Sequence, residues 1–147
     1  MIAEHSLEIA RSPAEVYAFL VDQDNWATLD PATLDITPGE EVHQGMTGTI
    51  TRRVAGRRVR NDFLVTELEP EAKMAMRLTG AGYALTEITS LEAIPEGTRV
   101  TIVDVLEPTS FGGRLFVAVS GPFIRRDLKT RSERLRSLLE TAPATSR

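Results

Sequence analysis

Residues 2–10 alternate, with Ala3, His5, Leu7 and Ile9 on one side and Glu4, Ser6 and Glu8 on the other, the period of a half-buried strand. The period then changes. Ser12 has the chemistry of an N-cap, Pro13 stands at the first helical position, and Glu15 follows three residues after the cap, a capping box with proline where it is tolerated. Val16, Phe19 and Leu20 lie at i, i+3 and i+4 and give this helix one apolar face. A second short helix or turn is expected through residues 22–29, ended near Pro31.

From about residue 34 to 107 the chain reads as consecutive strands divided by turn residues. Pro38-Gly39 and Gly45 punctuate the first part, and Ala55-Gly56 joins two strands as a hairpin. Met74, Met76 and Leu78 share one face of a short strand, Gly80 and Gly82 bracket the next turn, and residues 95–97 join the last two strands. None of these connections is long enough for a parallel crossover, so the sheet is expected to be antiparallel throughout. After Pro108 the period turns helical. Phe111, Leu115, Val119 and Phe123, then Leu128, Leu135, Leu138 and Leu139, form an apolar stripe. Arg125, Arg126, Lys129, Arg131, Arg134 and Arg136 are expected on the outer surface, and Gly121-Pro122 predicts a kink or a break. Residues 142–147 read as a frayed tail after one domain over residues 1–141.

A strand, two short helices, about six more antiparallel strands and one long C-terminal helix make an α+β chain. The stretches LEIARSPAEVYAFLVDQDNW (7–26), PGEEVHQGMTG (38–48), LVTELEPE (64–71), EGTRVTIVDVLEP (96–108) and GPFIRRDLKTRSERLRSLLE (121–140) carry a resemblance. Together they resemble the START-like (SRPBCC) superfamily of lipid-binding domains, polyketide cyclases and dehydrases, coenzyme Q-binding proteins and plant pathogenesis-related allergens. The polyketide cyclase/dehydrase-like branch is the one most resembled. The resemblance implies a helix-grip fold, in which a curved sheet of about seven strands wraps the C-terminal helix around a ligand cavity. It implies no particular chemistry, because the superfamily holds both enzymes and binders.

Composition narrows the chemistry further. The 147 residues contain no cysteine, which removes disulfides, thiolate catalysis and cysteine metal sites. A net charge of −4 argues against nucleic acid or an anionic membrane as the main partner. The N-terminus lacks the pattern of a signal peptide and no apolar run reaches the length of a membrane span, so a cytoplasmic monomer or homodimer is expected. His5 and His43 show no metal-ligand spacing, and neither a phosphate-cradling loop nor a dinucleotide fingerprint occurs, so neither metal nor cofactor is expected. Ser120-Gly121 lacks the elbow of a serine nucleophile. The five arginines of residues 52–60 read as a solvated hairpin rather than an anion site.

Two readings follow. In the first, the protein binds or carries a small hydrophobic molecule such as a lipid, an isoprenoid or an aromatic polyketide. Phe19, Trp26, Phe63, Met74, Met76, Tyr83, Leu85, Phe116, Val119 and Phe123 are its lining candidates. Trp26, the only tryptophan, is expected first to pack over the helix pair and second to reach the cavity rim. In the second, the protein is a cyclase or dehydratase. Asn61, Glu87 and Asp104 each interrupt an apolar strand face, and a carboxyl buried there would have a raised pKa suited to acid–base work. Strand period leaves their facing open, since both faces of these strands carry apolar residues. The enzyme reading requires at least two of the three to converge on one void.

Overall fold

The computed structural model describes residues 1–39, 41–54 and 56–141. Its elements run β1 (Ile2–Ile9), α1 (Pro13–Leu20), α2 (Asp24–Leu29), β2 (Thr33–Thr37), β3 (Thr47–Val54), β4 (Arg57–Glu69), β5 (Lys73–Gly80), β6 (Tyr83–Ile94), β7 (Gly97–Pro108) and α3 (Phe111–Thr141). The tail predicted for 142–147, and Ala55 of the predicted hairpin turn, lie outside the described residues.

All seven strands form one antiparallel sheet in the order β1-β7-β6-β5-β4-β3-β2. Consecutive strands pair through short turns, and only β1 returns to meet the last strand. α1 and α2 fill the one longer excursion, between β1 and β2. The predicted capping box closes α1: the Ser12 hydroxyl oxygen accepts from the Glu15 amide at 3.2 Å and also lies 3.2 Å from the Glu15 carboxylate.

Alternation decides what each strand turns inward. On β7, Thr98, Val100, Ile102, Asp104 and Leu106 are all buried while their neighbours are more open. On β4, Asn61, Phe63 and Val65 are buried between exposed Arg60, Asp62 and Leu64. A polar residue that falls in such a series goes inside with it. The bulge between Val65 and Glu67 comes after this run and does not reverse it.

α3 departs from its predicted stripe in three ways. It continues through Gly121-Pro122 without a break, and Gly121 is buried beside Met1. Leu128, Leu135 and Leu139 are buried as an inward face, but Phe111, Leu115, Val119 and Phe123 are 89%, 70%, 68% and 60% exposed. The reason is rotational. The face turned to the sheet's hollow runs through Phe116, Ser120, Ile124, Asp127 and Arg131, about one residue out of phase with Phe111, Leu115 and Val119. Arg131 is therefore inside, which corrects its expected place on the outer surface.

The N-terminal end of α3 is fixed by two glycines. Gly82 adopts a positive φ of 83° in the β5–β6 turn, and its carbonyl accepts the amide of Thr109 at 2.8 Å. A side chain on Gly113 would overlap that same Gly82 carbonyl. Gly113→Ala should therefore cost about 1–3 kcal/mol in urea unfolding, as overpacking does. Gly112→Ala, which meets open space, should stabilise by up to about 1 kcal/mol through helix propensity alone. Equal effects from the two substitutions would refute a close backbone contact at Gly113.

Candidate functional site

The sheet's concave face and α3 do not close on each other. Between them lies a cavity of about 930 Å³, within the size range of small-molecule sites. Met74, Met76 and Leu78 from β5 and Tyr83 and Leu85 from β6 line it, with Phe19 and Trp26 from the helix pair and Phe116 and Phe123 from α3. The five strand residues share one void because the alternate positions of adjacent strands point to the same side, and the four helix residues close it from the facing side. Phe63 and Val119 do not belong to the wall. Phe63 is buried in the core and meets Trp26 edge-on, with ring centroids 5.7 Å apart. Val119 is on the open side of α3.

Trp26 satisfies both of its expected placements. Its indole N–H donates to the Leu20 carbonyl at 2.8 Å, which locks the junction of α1 and α2, and the ring also borders the cavity. Tyr83 is placed with similar care. Its ring lies over Gly80, where any side chain would collide with it, and stacks on Phe116 at 4.8 Å. Its hydroxyl accepts from the Asn61 amide nitrogen at 2.6 Å.

Asn61, Glu87 and Asp104 all face inward and border the cavity. Asn61 is occupied by Tyr83 and the Thr79 carbonyl and stands apart from the other two. Glu87 and Asp104 are brought together, because they sit directly opposite each other in the β6–β7 register. The residue that binds them was missed by sequence reasoning. The Arg131 guanidinium donates to Glu87 at 3.0 Å, to Asp104 at 3.2 Å and to Asp127, one turn earlier on α3, at 3.0 Å. A signal was available: Arg131 lies three residues after Leu128 and four before Leu135, on the face those leucines bury. Among the arginines of residues 52–60, Arg52 also departs from the solvated reading. It borders the cavity and pairs with Asp30 at 2.7 Å.

The electrostatics follow from this geometry. Asp104 is 1% exposed, and its Oδ1 has no donor among the described residues. Burial, then the charge of Glu87 and the hydrogen bond between the two carboxyls, pushes Asp104 well above the carboxylate range, to about 9, against the pull of Arg131. Burial would raise Glu87 too, but Arg131 together with hydrogen bonds from Asp104 and Arg131 holds it below its ordinary value. Arg131 would lose hold of its proton through burial, yet Glu87, Asp104 and Asp127 raise it above the usual arginine value. The two directions together favour the proton on the Asp104 side of the pair and the charge on Glu87. A neutral acid beside a carboxylate in an apolar cavity can donate a proton or a hydrogen bond to a bound molecule and accept one back.

The family is now recognisable by comparison as well as by geometry. Residues 2–140 match the family described as polyketide cyclase/dehydrase and lipid transport. This chain is a member of that family. Solved structures agree on the fold. The protein is similar to TTHA0849 of Thermus thermophilus, at 15% identity and a TM-score of 0.79, over 98% of this chain and 100% of that one. It is similar to CV1439 of Chromobacterium violaceum, at 13% identity and 0.78, over 96% and 99%. DynU16, from the dynemicin biosynthetic locus, matches at 15% and 0.71, over 95% of this chain and 47% of that one. No curated protein sequence matches the chain. At such identities the solved structures establish the fold alone. Among the described residues no helix is long and apolar enough to cross a membrane.

Two predictions test the cluster. Arg131→Met leaves buried carboxyls without their cation and should destabilise the fold by about 3–5 kcal/mol in denaturant unfolding. A loss below about 1 kcal/mol would show that the ion pairs contribute little. The pH prediction has a definite sign. Unfolded, Asp104 releases its proton near its ordinary value of 3.8, whereas folded it keeps the proton up to about 9. The folded state thus binds more protons across that window, and this contribution to stability falls as pH rises from about 4 to 9. Glu87 acts oppositely, losing its contribution as pH falls through the acid range. Asp104→Asn, the uncharged counterpart of the protonated acid, should flatten the decline between pH 5 and pH 9 in thermal melts; an unchanged slope would assign the decline elsewhere.

Proposed function

We propose that this protein binds and carries a small hydrophobic molecule in the cavity between the sheet and α3. One observation carries the reading: a void of about 930 Å³ lies between the sheet and α3, with a wall surface that is mostly apolar and a minority of polar groups. Burial of ligand carbon there supplies affinity, at about 0.8 kcal/mol per methylene, and the polar groups set orientation. Met74 and Met76 give that wall an adaptable surface, since the unbranched thioether conforms to varied shapes. The family description, which joins lipid transport to cyclase and dehydrase activity, supports the same reading. The ligand classes in view are lipids, isoprenoids and aromatic polyketide-like molecules, and no cofactor is required for any of them.

Trp26 supplies the test, because it is the only tryptophan and borders the cavity. Titration with the neutral fluorophore N-phenyl-1-naphthylamine should quench Trp26 emission in a saturable, one-to-one manner. Filling the void with Leu78→Phe and Leu85→Phe should weaken this binding by at least about tenfold while the far-ultraviolet spectrum is kept. A wild-type protein with no saturable uptake of the probe would end the carrier reading.

A second reading has one specific observation in its favour. Glu87 and Asp104, two of the three polar candidates, converge with Arg131 on the cavity wall. In a cyclase or dehydratase, Asp104 would protonate an oxygen of the substrate while Glu87 accepted a proton from carbon. On this reading Glu87→Gln should lower turnover of a poly-β-ketone by about 10²–10⁴-fold, with uptake of the fluorophore retained. Unchanged turnover in that variant would remove the pair from any reaction.

A further inference from the structure

The charges of the cavity wall do not match one for one, and the mismatch bears on what the cavity accepts. Three carboxyls, Glu87, Asp104 and Asp127, surround a single guanidinium. Each of the three nitrogens of Arg131 already donates to a different one of them. The other buried-side cation, Arg52, is neutralised by Asp30 at 2.7 Å, and its Nε, which has no hydrogen-bond partner among the described residues, is buried. Arg57, Arg58 and Arg60 border the cavity only from its exposed rim, where solvent screens them. Each cation of the inner wall is therefore already balanced by at least one carboxylate, and around Arg131 the carboxyls outnumber the cation. The wall does offer hydrogen bonds: the more open carboxyl of Glu87, the Tyr83 hydroxyl, and opposite Glu87 the buried Asp104 carboxyl, whose Oδ1 has no partner among the described residues.

We propose that the cavity selects amphiphiles whose polar end is uncharged and hydrogen-bonding, an alcohol or a ketone, over those whose polar end is a carboxylate. This deepens the carrier reading and rests on it. An alcohol donates to Glu87, and a ketone accepts from the hydroxyl of the neutral carboxyl or of Tyr83. A carboxylate arriving at the same wall loses its hydration and meets more carboxyls than cations, with no uncompensated positive charge to offset either cost. The apolar tail gains the same burial in every case, so the polar end alone decides the preference.

The test compares 1-decanol, 2-decanone and decanoate at pH 7 as competitors that displace N-phenyl-1-naphthylamine from the whole protein. The alcohol and the ketone should each bind at least about tenfold tighter than decanoate. The double variant Glu87→Gln/Asp104→Asn leaves Asp127 alone with Arg131, and there decanoate should gain on decanol by most of that factor, so that the ratio of their affinities approaches one. Decanoate binding as tightly as decanol to the wild type would overturn the proposal and leave the carrier reading intact. Fluorophore uptake that none of the three displaces would overturn the proposal too, and an absence of fluorophore uptake would remove the carrier reading beneath it.

Discussion

A guanidinium taken out of water against the face of a sheet must find its compensation there, and Arg131 finds it in three carboxyls within hydrogen-bonding distance. Two of these come from neighbouring strands and one from its own helix. The pairing therefore does more than neutralise charge. It sets the rotation of α3 about its axis, because only one helical face can present Asp127 and Arg131 to β6 and β7 together. That rotation in turn places Phe116, Ser120 and Ile124 over the hollow of the sheet and leaves Phe111, Leu115 and Val119 outside. The leucines at 128, 135 and 139 agree with the same setting and bury the C-terminal half of the helix against β1 and β7.

The cavity follows from a division of labour along α3. Its C-terminal half packs directly and is tied to the rest of the chain at two further points. Arg134 donates to the Thr28 carbonyl at 2.7 Å, and Glu140 accepts the Ala10 amide at 2.9 Å. The N-terminal half is held at its start by the approach of Gly113 to Gly82, and beyond that Phe116 stacks on Tyr83 and Gly121 lies beside Met1 while the cavity opens beneath it. A packed core would require larger side chains at Met74, Met76, Leu78 and Leu85 than these strands carry. The same wall is thus core at one end and binding surface at the other. Polar residues set into it become functional candidates rather than packing errors, since a buried polar group must find a partner.

Membership of the polyketide cyclase/dehydrase and lipid transport family accounts for the frame but leaves the chemistry to individual side chains. Structures at 13–15% identity share the arrangement of sheet and helix. The content of the hollow is a matter separate from that frame. Asn61 is tied to the aromatic pair Tyr83 and Phe116, while Glu87, Asp104 and Arg131 form a separate, ion-paired polar island. The first group shapes the void. The second sets a polar patch into its wall.

By itself the sequence determined the elements and their order. Alternation in residues 2–10, the cap at Ser12, the turn glycines and the helical period after Pro108 are local signals, fixed by backbone sterics and by the burial of one face. The short connections then left an antiparallel sheet as the only economical topology. The same local signals placed Met74, Met76, Leu78, Tyr83 and Leu85 on one face. They could not decide the facing of Asn61, Glu87 and Asp104, because both sides of those strands are apolar enough to be buried. Nor could they find Arg131, whose type suggests solvent and whose spacing from Leu128 and Leu135 says otherwise. Only the tertiary structure settled these, since the stability of a buried charge depends on partners far away in the chain. Glu87 and Arg131 are 44 residues apart in sequence, and nothing in either neighbourhood records that their side chains meet.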